Sequence, residues 1–284
     1  GGIYEILKHT EEIALEKGDL VAGLEPDAVA VLNADDPLVL AQRDRTHARV
    51  VTFGQHGRAD VGAERVRGLG IDGFAFDLVA PEGRIPLRVP GLAETTVINA
   101  LAASAAALAA GAALEDVAEG LARLRPVGGR MEQIQLPRNI IVINDTYNAN
   151  PQSMEVALRS LAELKGTSRG LAVLGDMGEL GESAGPAHRA TGRLVAELAI
   201  EWLFAVGRHA DETAAGALEG GMDPARICVA KDHAATSAEV GKILQGNDWV
   251  LVKGSRSSRM ERVVEALAAR RRGIDEIARE VHGG

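Results

Sequence analysis

The chain has 284 residues, 46% of them hydrophobic and 25% charged, with a formal net charge of −9, which suits two folded domains and excludes a disordered chain. An acidic balance with 3% aromatic residues also argues against broad nucleic-acid binding, which needs a basic face and stacking platforms. The lone Cys228 excludes a disulfide or multi-cysteine zinc site within one chain, no stretch is apolar enough for membrane insertion, and Gly1-Gly2-Ile3-Tyr4 lacks an export signal, so a cytoplasmic location is expected.

In chain order, Glu11 to Ala22 reads as a helix, and Ala28 to Leu32 and Arg49 to Phe53 read as strands. Between Asp60 and Val89 short alternating pieces broken by Gly and Pro predict β-hairpins. Helices follow near 94–111 and 114–124, the first an alanine-rich segment too short and too weakly apolar to span a membrane. The stretch Arg125-Pro126-Val127-Gly128-Gly129 punctuates the chain and divides it into domains 1–127 and 128–284.

The second domain has a more regular rhythm. Ile140 to Ile143, Leu171 to Leu174, Trp202 to Val206, Ile227 to Ala230 and Trp249 to Val252 read as strands, each followed by a helix, near 151–165, 187–200, 208–219, 233–245 and 258–271. Strand-then-helix repeats predict an α/β domain with a doubly wound, mainly parallel, Rossmann-like sheet, because each helix returns the chain to the same sheet edge. Arg270-Arg271-Arg272 falls at the end of the last helix and reads as a solvated helix end.

Ligands of open α/β sheets bind at the carboxyl ends of the strands. There the second domain carries Asp145-Thr146-Tyr147-Asn148-Ala149-Asn150-Pro151, Leu174-Gly175-Asp176-Met177-Gly178-Glu179-Leu180-Gly181 and Val252-Lys253-Gly254-Ser255-Arg256. Gly129-Arg130-Met131-Glu132 stands at the domain boundary, and Leu32-Asn33-Ala34-Asp35-Asp36-Pro37 ends a strand of the first domain. Taken singly, each has a structural reading. Asn33 and Asp36 shape a turn, Asp176 and Glu179 cap the next helix, and His188 makes a structural hydrogen bond. Likewise Arg130 pairs with Glu132 on the surface, Asn99 caps or bridges a helix, and Lys17 is a solvated helix lysine.

In this order and spacing, the patterns resemble those of the Mur ligases of peptidoglycan synthesis, and among them the members that add D-alanyl-D-alanine to UDP-N-acetylmuramoyl-tripeptide. The resemblance covers nearly the whole chain. It implies part of a central ATPase domain followed by a Rossmann-like ligase domain. The activity it implies is ATP-dependent amide ligation: the substrate carboxylate becomes an acyl phosphate, and the amine of the dipeptide displaces phosphate. Such chemistry requires magnesium and cations around the transferring phosphoryl group, in a water-poor cleft.

Carried over by resemblance, Lys17 matches the lysine that the family carbamylates to support magnesium, and Asn99 the asparagine that contacts adenine. Arg130 matches an ATP-contacting arginine at the interdomain hinge, and Asp145 the acidic residue on the ribose. Tyr147 and Asn148 are expected near the nucleotide, and Asn150 against the dipeptide. Asp176 and Glu179 fall in the loop near the incoming amine, with Asp176 and His188 candidates for a catalytic role. Lys253, Ser255 and Arg256 close the site against a carboxylate or phosphate.

The family's phosphate-binding Gly-Lys-Thr/Ser loop is expected ahead of the Lys17 motif, and no such loop occurs after residue 1. The UDP-sugar-binding domain is not represented either, and Thr95-Thr96 replace a family His-Asn pair. The expectation is therefore a truncated ligase, inactive alone, that associates through its central domain. Two other readings stay open: a non-catalytic nucleotide- or dipeptide-binding module, and a Mur-like ligase with another amino substrate.

Overall fold

The computed structural model describes residues 2–269, with side chains from Thr10 onward. The chain divides into two compact units, Gly1–Arg125 and Pro126–Gly284, a boundary two residues before the expected one. The Arg270-Arg271-Arg272 run lies outside the described residues.

The first unit begins with a long helix α1 (Gly2–Ala22), then β1 (Val29–Asn33), the short α2 (Pro37–Leu40), β2 (Arg49–Gly54), β3 (Val61–Gly68), β4 (Phe74–Ala80), β5 (Gly83–Val89), α3 (Thr95–Ala109) and α4 (Leu114–Ala122). Its sheet runs β1-β2-β3-β4-β5, parallel from β1 to β3 and antiparallel from β3 to β5. In α3, Val97, Ala100, Leu101, Ser104 and Ala105 are buried at helical spacing, so the alanine-rich segment is a tightly packed core helix. That stripe meets Val61, Phe76, Leu78, Leu87 and Val89 of the sheet and Leu114, Val117 and Leu121 of α4.

The second unit contains β6 (Glu132–Leu136), β7 (Ile140–Asp145), α5 (Pro151–Lys165), β8 (Gly170–Leu174), α6 (Ala184–Glu197), β9 (Trp202–Val206), α7 (Ala210–Glu219), β10 (Ile227–Ala230), α8 (His233–Ile243) and β11 (Trp249–Lys253). A final helix, α9, covers 261–269 among the described residues. The sheet order is β10-β9-β8-β11-β7-β6, parallel except for β6, an antiparallel edge strand that no strand expectation covered. Its sequence, Glu-Gln-Ile-Gln-Leu, offers too few apolar residues to announce a strand.

Passage from β7 to β8 skips the slot that β11 later fills, and the chain then steps in one direction to β10. Right-handed crossovers place α5, α6 and α7 on one face, and the reversal from β10 to β11 sends α8 to the other. The core agrees: Val240 of α8 and Val263, Val264 and Leu267 of α9 share one cluster with Val142, Val173, Phe204, Val250 and Val252. Strands β8 and β11 are buried at every residue, as central parallel strands covered on both faces must be.

Helices α6 and α7 approach at glycines. A Cβ at Gly192 would lie 1.9 Å from the Thr213 carbonyl oxygen, and one at Gly216 would lie 1.9 Å from that of Arg189. Backbone atoms cannot yield as a side-chain tip can, so the helices would have to separate. Gly192→Ala and Gly216→Ala are each expected to destabilise the second unit by about 1–3 kcal/mol in urea unfolding, with little change in helix content.

Candidate active site at the carboxyl edge of the second sheet

Adjacent strands β7 and β11 lead to helices on opposite faces, which makes their carboxyl ends the switch point of the sheet, where a crevice opens. Asp145 ends β7, Lys253 ends β11, and the two are register partners. Lys253 is only 1% exposed. Its Nζ donates to Asp145 Oδ2 at 2.5 Å and to the Asn148 carbonyl at 3.0 Å. The other oxygen, Asp145 Oδ1, accepts the Met131 N–H at 3.1 Å.

This pair ties the start of the unit to its sheet. Glu132 Oε2 accepts the Gly129 N–H at 3.2 Å and the Asn144 side-chain amide at 2.8 Å, while Tyr147 N–H donates to the Gly129 carbonyl at 2.9 Å. Gly129 and Met131 have φ of 74° and 50°, a left-handed path that glycine adopts without cost and Met131 holds only with support. The exposed Arg130 guanidinium consequently lies 3.9 Å from the centre of the Tyr147 ring, in cation–π geometry. Thus the pairing of Arg130 with Glu132 expected for a surface arginine does not form; Glu132 holds the backbone instead.

Asp176 follows β8 and is likewise committed to the backbone. Its carboxylate accepts the Arg208 N–H at 2.9 Å and the His209 N–H at 3.0 Å, just ahead of α7, where helix N–H groups lack partners. Gly207 (φ 123°) permits the approach, since a Cβ there would be 2.6 Å from the carboxylate. The Asp176 carbonyl accepts from Ser255 N–H at 2.8 Å and Ser258 Oγ at 3.0 Å, joining the loops after β8 and β11.

His188 is buried and used at both nitrogens. Nε2 accepts the Met177 N–H at 2.9 Å, so Nδ1 carries the proton that reaches the Ala184 carbonyl at 2.7 Å. It stacks on His209, ring centres 4.7 Å apart. Burial lowers its pKa below the ordinary 6.5, opposed by its backbone hydrogen bond and by Asp176 and Glu212. The geometry gives His188 the structural role.

Asn150 caps α5, its Oδ1 accepting the Ser153 N–H at 2.8 Å. Asn148 Oδ1 turns to the Ala149 N–H at 2.9 Å. Ser255 is buried, its hydroxyl among those of Ser257 and Ser258. Tyr147, Glu179 and Arg256 are exposed, as is Arg208, two residues after β9.

In the first unit, Lys17 is exposed on α1 and Asn99 is exposed on α3. Gly18 next to Lys17 is buried and packs so closely that a Cβ would lie 1.9 Å from Gln42 Oε1, and Arg45 holds this part of α1 by donating to the Leu15 carbonyl at 2.9 Å and to Asp19 at 2.5 Å. Asn33 Oδ1 accepts the Asp35 N–H, and Asp36 caps α2 through the Leu38 and Val39 N–H groups, the turn role expected of them. No group of three or more His, Cys, Asp or Glu side chains suited to a metal occurs among the described residues.

Residues 4–107 match the Mur ligase middle domain, and residues 129–256 match the Mur ligase glutamate ligase domain. The chain belongs to the Mur ligases. The UDP-N-acetylmuramoyl-tripeptide–D-alanyl-D-alanine ligase of Mycobacterium tuberculosis is 36% identical over 281 residues, covering 91% of this chain and 54% of that protein. A crystal structure of MurF from Acinetobacter baumannii is 32% identical with a TM-score of 0.80, covering 90% of this chain and 55% of that one. MurF ligase from Thermotoga maritima in complex with ADP has a TM-score of 0.73 at 21% identity, a likeness of fold, over 88% of this chain and 55% of that one. This Mur ligase chain therefore spans about half the length of the curated relatives it matches.

Protonating His188 removes the lone pair that receives the Met177 N–H. A histidine whose folded pKa is depressed binds its proton more readily when unfolded, so its contribution is full above about pH 6.5 and is lost as pH falls below that value. Denaturant titrations between pH 8 and pH 5 should show the second unit losing stability on acidification, and His188→Gln should flatten that segment of the profile.

Proposed function

We propose that the chain supplies the middle and C-terminal domains of a cytoplasmic, ATP-dependent ligase that joins D-alanyl-D-alanine to UDP-N-acetylmuramoyl-tripeptide. The observation that carries the reading is the gathering of the strand-end motifs at the switch point of the second sheet, on a chain 36% identical to a ligase of that name. In this reaction the substrate carboxylate takes the terminal phosphoryl group of ATP, leaving ADP. The dipeptide amine then attacks the acyl carbon, the amide forms, phosphate departs and the nitrogen loses a proton.

The residues divide by what they still have to offer a ligand. Arg130 presents a guanidinium already oriented by the Tyr147 ring, suited to phosphate oxygens. The remaining lone pairs of Asp145 suit ribose hydroxyls, while Lys253 and the Met131 N–H fix its position. Asn99, exposed on α3, offers the donor and acceptor of an amide to a purine edge. Glu179 and Arg256 offer opposite charges to the ammonium and carboxylate of a dipeptide. Asp176, Asn150, Ser255 and His188 act by holding the loops that carry these groups.

Carbamylation would give exposed Lys17 an oxygen-donor group of the kind magnesium prefers. No group of three or more His, Cys, Asp or Glu side chains stands ready to complete such a site among the described residues.

Calorimetric titration with ADP and, separately, with D-alanyl-D-alanine and L-glutamate tests the reading. ADP should bind, Arg130→Ala should weaken it about 10–100-fold, the loss of a charge-assisted contact, and the dipeptide should bind in preference to glutamate. Preference for glutamate would transfer the chain to ligases with another amino substrate, and failure to bind ADP would contradict the nucleotide assignment.

A further inference from the structure

The antiparallel strands of the first unit, β3 to β5, carry four arginines, Arg65, Arg67, Arg84 and Arg88, against two carboxylates, Glu64 and Asp77. On β4, Phe74, Phe76, Leu78 and Ala80 point into the core with α3 and α4, so Ala75 and Asp77 belong to the opposite face. Ile85, Leu87 and Val89 of β5 turn the same way as the core residues, which leaves Arg84, Pro86 and Arg88 beside Ala75 and Asp77. The register of β3 shifts between Glu64 and Arg67, with Arg65 at φ 55°. This β-bulge brings Arg67 to the same face as Glu64, three residues before it, where strict alternation would separate them.

The bulge also partitions the charges. Asp77, 5% exposed, is paired with Arg65 and lies 3.6 Å from Arg84, and Arg84 reaches Glu64 at 2.7 Å. Arg67 and Arg88 have no carboxylate partner among the described residues. Both are register partners of Ala75, one on each side of it. Two guanidiniums therefore flank a small side chain across two strand spacings, roughly 10 Å. They border an open groove of about 800 Å3 whose lining includes Arg65, Val66, Arg67, Asp77, Pro86 and Arg88. A groove of this size accommodates a small ligand. The cations are all arginine, whose planar forks match phosphate oxygens two at a time.

We infer that this groove binds a diphosphate or phosphate ester, with Arg67 and Arg88 grasping the anion above Ala75. Arg65 neutralises Asp77 so that the buried carboxylate does not repel the ligand. The site uses none of the residues of the ligase reading and stands or falls separately from it.

Pyrophosphate titrated into the chain, followed by amide chemical shifts, tests the inference. Shifts are expected at Ala75, Arg67 and Arg88. Arg67→Ala/Arg88→Ala should weaken binding at least tenfold, while Arg159→Ala on α5 and Arg130→Ala leave these shifts unchanged. Raising the salt concentration should weaken the binding. The inference is overturned if these amides do not move, if the double variant binds as the wild type does, or if succinate binds equally well. It is also overturned if the groove ignores pyrophosphate and instead carries the chain onto phosphatidylglycerol vesicles.

Discussion

The second unit depends on one buried ion pair, Lys253 with Asp145. Two charges at the ends of neighbouring parallel strands, with side chains 2% and 14% exposed, are stable only if each finds further hydrogen bonds. Lys253 finds the Asn148 carbonyl, and Asp145 finds the Met131 N–H. Those two contacts spread the pair's influence beyond the strands. One fixes the loop that opens α5, and the other fixes the left-handed turn that brings the chain into the unit. The orientation of Arg130 over Tyr147 follows from both.

The same economy recurs around the sheet edge. Side chains whose type suggests contact with a ligand are bound to backbone amides: Asp176 to the start of α7, Asn150 to the start of α5, and His188 to Met177. In the first unit Asp35 does likewise with the Gln55 and His56 N–H groups, at 2.6 and 3.0 Å. Loops at strand ends leave N–H groups unpaired, and a short carboxylate or amide satisfies them at small entropic cost. The longer side chains of Arg130, Tyr147, Glu179 and Arg256 are exposed instead. Positions and partners thus separate side chains held to the backbone from exposed ones, a distinction that residue type conceals.

The second unit was legible in the sequence because its strands are continuous apolar runs and its helices have strong starts, such as Asn150-Pro151 and Asp232. Its parallel order followed from the alternation of elements. The edge strand β6 was not legible, since three of its five residues are polar, and α2 is a single turn set by the Asp36 cap. Alternation broken by Gly and Pro announced hairpins between Asp60 and Val89, but not the bulge at Arg65, which depends on pairing with β4. The motifs do fall at the carboxyl ends of β7, β8 and β11. They could not tell that Lys253 is buried against Asp145, because both the pairing and the burial arise only when β11 inserts between β7 and β8.

A double-mutant cycle on Asp145→Asn and Lys253→Met, read by urea unfolding and by hydrogen exchange at the Met131 and Tyr147 amides, tests this dependence most directly. Either single substitution should cost about 3–5 kcal/mol by stranding a buried charge. A coupling of about 2–3 kcal/mol and faster exchange at both amides in each single variant are also expected. Additive effects, with exchange at Met131 and Tyr147 unchanged, would contradict the dependence.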